Sequence, residues 1–214
     1  MTSMPGPRNP TGLRVDMATV LAIGLVLAGC SSAGPPPATY VLGSSPPAIA
    51  STEPLTGRPV IELKRVLVPD YLDVSDIMVR QSANLVAPSP AGRWGERLSV
   101  GITRALALDL SRRLPGFVVA TTSPGDSSKF QVLVDVEDFG PRADGTVVLL
   151  ARWRLVDAAG RRTLAGQQVS LTDRAGVTDD AAIAAAMTRE VDDLASGVAA
   201  GVRRETSSVR RAGA

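Results

Sequence analysis

The chain has 214 residues, with 23 Lys and Arg against 21 Asp and Glu, for a net charge of +2. This near balance, with aromatics at 3%, gives no electrostatic or stacking case for nucleic-acid binding. The lone cysteine, Cys30, excludes an internal disulfide, and the lack of histidine removes both the usual partner of a Cys or Ser nucleophile and the commonest metal ligand.

Arg8 and Arg14 precede an uncharged, mostly apolar run over residues 17–29. At about 1.5 Å per residue a helix of that length covers about 20 Å, short of the ~30 Å hydrocarbon core. A basic start, a short apolar stretch and small residues at its end describe an export signal. A buried core helix is the competing reading, but Gly24, Gly29 and Ser31-Ser32 make a poor helix to bury. Leu27-Ala28-Gly29-Cys30 resembles the bacterial lipobox, in which the cysteine is acylated, with palmitate among the chains, and becomes the new N-terminus. Ser rather than Asp at position 31 implies, by resemblance to sorted Gram-negative lipoproteins, delivery to the periplasmic face of the outer membrane. The expected organisation is therefore a signal peptide at 1–29, a lipidated Cys30 with a Pro/Ser-rich tether over 30–59, a folded domain at 60–204 and a flexible tail at 205–214.

Within the tether, residues 40–42 read as a short strand. Residues 60–68 are β-branched-rich and read as a strand ending at Pro69, and 77–80 as a second short strand. Residues 87–92 read as a turn-rich loop. Over 93–114, Leu98, Ile102, Leu106, Leu110 and Leu114 recur at helical spacing, and Pro115-Gly116 stops the helix. Strands follow at 117–121, 130–137, 147–156 and 163–171, with turns at Asp144-Gly145 and at residues 157–160. Thr178 suits an N-cap, and Asp179 and Asp180 place negative charge at the start of a second helix. Its stripe is Ile183, Met187, Val191, Leu194, Val198 and Val202, ending at about Arg204. Short turns favour antiparallel pairing. The predicted fold is α/β of the α+β type: a single mostly antiparallel sheet with two long helices packed on one face.

Chemistry is sparse. Asp135, Glu137 and Asp138 on one strand, and Asp179 and Asp180 at a helix start, are explained by a solvated face and by capping. No phosphate-cradling loop or Cys/His metal set is present, so the expectation is a non-enzyme with no cofactor and no metal.

Two blocks are distinctive: VLVPDYLDVSDIMVRQSANLV at 66–86 and RWGERLSVGITRALALDL at 93–110. A strand leads into Pro-Asp-Tyr-Leu-Asp. A strand ending at Arg80 follows, then Trp94 with Glu96, then a helix holding Ile102-Thr103-Arg104. This order resembles the auxiliary lipoproteins of ABC-type transport, the paraquat-inducible protein C-like family, over roughly residues 30–200. The long loop before Val60 and Gly95 between Trp94 and Glu96 depart from that pattern. The resemblance implies a non-catalytic outer-membrane lipoprotein docking an MCE-domain periplasmic protein, with the ABC permease and ATPase as other chains and homo-oligomerisation left open. The alternative is a structural lipoprotein that assists outer-membrane assembly or envelope integrity without lipid-transport partners.

Tyr71, Leu72 and Trp94 are candidate contacts because they sit beside Pro69 and in loops, where binding residues concentrate. Packing in the core is the competing reading. Arg80 and Glu96 are candidates either to pair with each other or to meet a partner.

Overall fold

The computed structural model describes residues 36–43, 57–122, 128–175 and 179–212. Residues 1–29, expected to form a signal peptide, and Cys30 lie outside the described residues. Ten elements follow in chain order: β1 Ala38–Tyr40, β2 Val60–Leu63, β3 Asp76–Ser82, β4 Leu85–Trp94, α1 Leu98–Arg113, β5 Val118–Ala120, β6 Ser128–Pro141, β7 Thr146–Asp157, β8 Thr163–Arg174 and α2 Asp180–Ala212.

The expectation of one mostly antiparallel sheet is overturned. The strands form two mixed sheets, three-stranded in the order β1-β4-β3 and five-stranded in the order β5-β2-β6-β7-β8. The short turns do produce antiparallel pairs: the β3–β4 hairpin and the β6-β7-β8 meander. The other strands arrive over long connections. β2 pairs parallel with both β5 and β6, and β1 pairs parallel with β4. The crossover from β2 to β5 carries β3, β4 and α1, ample chain for a parallel return. The overall class is α+β, with two helices among the described residues.

Residues 87–92 belong to β4 and are not a loop. Two prolines hid this strand. Pro90 falls in the register break between the Met78–Pro88 and Asp76–Arg93 pairs, and β1 reaches only Gly92, Arg93 and Trp94. Both prolines therefore sit where the ladder requires little from their nitrogen. Gly92 has a separate reason: a Cβ there would lie 2.6 Å from Asp180 Oδ2 and 2.7 Å from a Tyr40 ring carbon. Asp180 in turn accepts from Ser89 Oγ at 2.9 and 2.8 Å, which ties β4 to the start of α2.

The core lies between the helices and the five-stranded sheet. Ile102, Leu106 and Leu110 of α1 and Val191, Leu194 and Val198 of α2 share one buried cluster with Val132, Val134, Leu149 and Leu155 of the sheet. Trp153 is buried in a notch of α2 at Gly201, where a Cβ would overlap its ring.

Asp179 Oδ1 accepts from the Ala181 amide at 2.9 Å and caps α2. Thr178, the expected cap, lies outside the described residues. The helix end is also corrected: α2 continues to Ala212, past Arg204, through the residues expected to form a frayed tail.

Candidate partner-contact site

The Pro-Asp-Tyr-Leu-Asp stretch is a tight turn. The Leu72 amide donates to Pro69 O at 2.9 Å, and the Asp73 amide to the same oxygen at 3.1 Å. Leu72 drops into the core at 3% exposure. Asp73 turns the other way: its Oδ1 accepts from the Ser99 amide at 2.8 Å. That bond supplies the cap that α1 lacks locally, since Arg97 at its N-cap makes no side-chain capping bond.

With Leu72 buried and Asp73 bonded, Tyr71 is left facing outward at 42% exposure. It is held all the same. Arg80 Nη2 donates to Tyr71 Oη at 2.9 Å, and the guanidinium lies 5.9 Å from the ring centroid. Arg80 comes from β3 and also reaches Asp138 Oδ1 at 3.3 Å and Ala83 O at 3.3 Å. The second oxygen of Asp138 accepts from Arg142 Nη2 at 2.6 Å. Partial burial works against the charge on Arg80, but Asp138 and Tyr71 outweigh it and hold the pKa above the ordinary value. Tyr71 thus ends a chain of polar contacts that joins the small sheet to β6.

The structure separates the other candidates. Trp94 is 4% exposed, packed in the core where β4 ends, with its amide donating to Ser75 O at 2.7 Å. Glu96 does not meet Arg80. Its Oε1 accepts from Arg104 Nε at 2.9 Å and Nη2 at 2.7 Å, and Arg104 also donates to Leu42 O at 2.8 Å. That pair fastens the chain after β1 to α1. Gly95 fits the same crowding, since a Cβ there would come 3.2 Å from Thr39 Cγ2. Of the five candidates, only Tyr71 and Arg80 come together.

Leu67 was missed by sequence reasoning. It is 63% exposed, while its backbone bridges to β6 through Leu67 N to Val134 O at 3.0 Å and Val136 N to Leu67 O at 2.8 Å. The signal was present in the strand period: Val66 is buried, so its neighbour points out. Leu67 and Tyr71 flank Pro69 as two exposed apolar side chains. The carboxylates of β6 are engaged in ion pairs, Glu137 with Arg152 at 2.9 Å and Asp135 with Arg154 at 3.8 Å.

The family model described as the ABC-type transport auxiliary lipoprotein component matches residues 40–199. The chain belongs to this family. This auxiliary lipoprotein is similar to the intermembrane transport lipoprotein PqiC of Escherichia coli (strain K12), at 31% identity over 134 residues, which cover 61% of this chain and 69% of PqiC. A crystal structure of an uncharacterized protein superposes with a TM-score of 0.64 at 22% identity, covering 78% of this chain and 98% of the other. A Xanthomonas campestris protein of solved structure gives 0.60 at 15% identity, with coverage of 80% and 97%. Both share the fold. Family membership makes the chain an accessory lipoprotein of a transport system, associated with the membranes of the envelope, in a family not known for enzymes. The matched span contains Tyr71, Arg80 and Asp138 and stops short of the end of α2.

Proposed function

We propose that the chain is the outer-membrane lipoprotein subunit of an MCE-type ABC intermembrane lipid transport system. It is anchored through Cys30, faces the periplasm and acts as a docking component without catalysis. Tyr71, backed by Arg80, makes the contact with the MCE-domain protein. Membership of the family and the likeness to PqiC, an intermembrane transport lipoprotein, support the setting.

One observation carries the contact reading: Tyr71 is exposed yet pre-positioned. Leu72 and Asp73 fix its backbone from one side, and Arg80 fixes its ring and hydroxyl from the other. An aromatic anchor held in place before binding loses little freedom on association, and Tyr and Arg are the residues most often dominant at interfaces. A purely structural turn is complete with Leu72 and Asp73 alone.

The anchor and the partner are tested together. Cells are labelled with a fatty-acid analogue, fractionated, and the chain is isolated with whatever MCE-domain protein accompanies it. Wild type is expected to carry label, sediment with outer membrane and bring down the MCE protein. Cys30→Ala is expected to lose label and membrane attachment. A labelled Cys30→Ala variant, or wild type that reaches the membrane without an MCE partner, contradicts the proposal.

A further inference from the structure

The end of α2 differs from the rest of the molecule in charge. From Arg203 onward, Arg203, Arg204, Arg210 and Arg211 stand against the single acid Glu205, a net +3 in a chain of net +2, so all that precedes is net −1. The family match ends at residue 199, before this segment. Arg203, Arg204, Ser207, Ser208 and Arg211 line one shallow, open face, as their spacing on a helix dictates. All three of these arginines are exposed. Arg203 donates to Arg113 O at 3.2 Å, at the end of α1. Among the described residues, Arg204 and Arg211 have no hydrogen bond or ion pair.

Packing does not account for these arginines, because the buried stripe of α2 ends at Val202. The helix dipole accounts for Arg211 alone, since its influence fades beyond the last turn. What remains is a flat row of guanidiniums without a carboxylate between them. Their planar donor forks match phosphate oxygens.

We propose that this arginine face binds the headgroups of an anionic phospholipid surface. The occupant rests on the reading of Cys30 as a lipid anchor. Cys30 lies about eight residues before β1, a tether of at most about 29 Å. α2 has 33 residues, about 50 Å, and runs from Asp180, beside Tyr40 and Gly92, to the arginines. So tethered, the β1 end of the domain stays within about 29 Å of the bilayer, and the arginines reach the surface when α2 lies along it. An acyl anchor plus a basic patch is a familiar pairing of membrane signals, and each arginine near an anionic surface strengthens attachment about fivefold.

The test uses the full-length lipidated chain carrying Ser208→Cys labelled with a fluorescent donor, the Cys30 thiol being occupied by lipid. The chain is mixed with acceptor-labelled vesicles of phosphatidylcholine, alone or with phosphatidylglycerol. Flotation with both vesicle types is expected from the anchor. Energy transfer from position 208 is expected to rise with phosphatidylglycerol and fall at high salt. It should also fall in Arg204→Gln/Arg211→Gln, a surface variant whose melting should match the parent. Flotation only with phosphatidylglycerol vesicles upholds the arginine face and removes the anchor reading. Equal transfer on both vesicle types, or transfer unchanged by the double substitution, overturns the proposal. A response to soluble polyglutamate but not to phosphatidylglycerol also overturns it and makes the occupant an acidic protein. Flotation with neither vesicle overturns both readings.

Discussion

Glu190 is the most anomalous single residue. It is 2% exposed, and among the described residues neither carboxylate oxygen has a partner at good hydrogen-bond geometry. Burial pushes its pKa up to about 8 from 4.5, and the charges of Asp173 and Asp193 push the same way, against the nearby Asp173 backbone amide and Arg142. The folded protein therefore keeps a proton that the unfolded chain releases above its lower pKa. Stability falls as pH rises from about 4.5 to about 8 and is level beyond. Glu190→Gln keeps the shape and removes the titration. The variant should be more stable than wild type by several kcal/mol, up to about 5, at pH 8.5, the cost of ionising a group whose pKa is raised from 4.5 to about 8. Near pH 4 the gain should vanish. Denaturant melts at the two pH values decide it, and an equal gain at both would refute the account. Sequence offered no warning here, because Glu190 sits next to the apolar stripe of α2 and its burial depends on how the helix is rotated onto the sheet. Tyr71 and Leu72 raise the same difficulty. They are adjacent in sequence, and only the turn geometry sends one out and the other in.

At the level of elements, α1 borrows its cap from the turn that presents Tyr71. Asp73→Ala should cost about 1 kcal/mol through the lost cap at Ser99. It should also weaken partner binding, because the turn loses one of its two anchors. Asp73→Asn, which can still accept the bond, should restore most of the melting temperature. Failure of Asn to rescue would remove the capping explanation. A second element-level test concerns the seat of Trp153 on α2. Gly201→Ala forces a methyl into the ring and should destabilise by about 1–3 kcal/mol, read from the shift of the denaturant midpoint. Elements with strong local signals were legible: both helices from their apolar stripes, and β6, β7 and β8 from alternation and short turns. β4 was hidden by Pro88 and Pro90. The end of α2 was hidden because its helix outlasts its buried stripe, which stops at Val202.

Across the whole molecule, strand pairing was the part that sequence could not yield. Parallel partners such as β2 with β5 and β6 are chosen over long crossovers, where no turn constrains the register. The result is a small sheet set against a larger one, joined through Arg80 to Asp138 and on to Arg142. Tyr71 stands at that junction, exposed and held. If it is the contact, its loss separates binding from folding, because it touches the domain mainly through Arg80. The decisive measurement is therefore Tyr71→Ala, read in parallel as melting temperature and as affinity for the MCE-domain protein. The account predicts a melt close to wild type and an affinity weakened by about 2 kcal/mol or more, roughly thirtyfold. Native affinity at native stability would contradict it, and a large fall in melting temperature would return Tyr71 to the core.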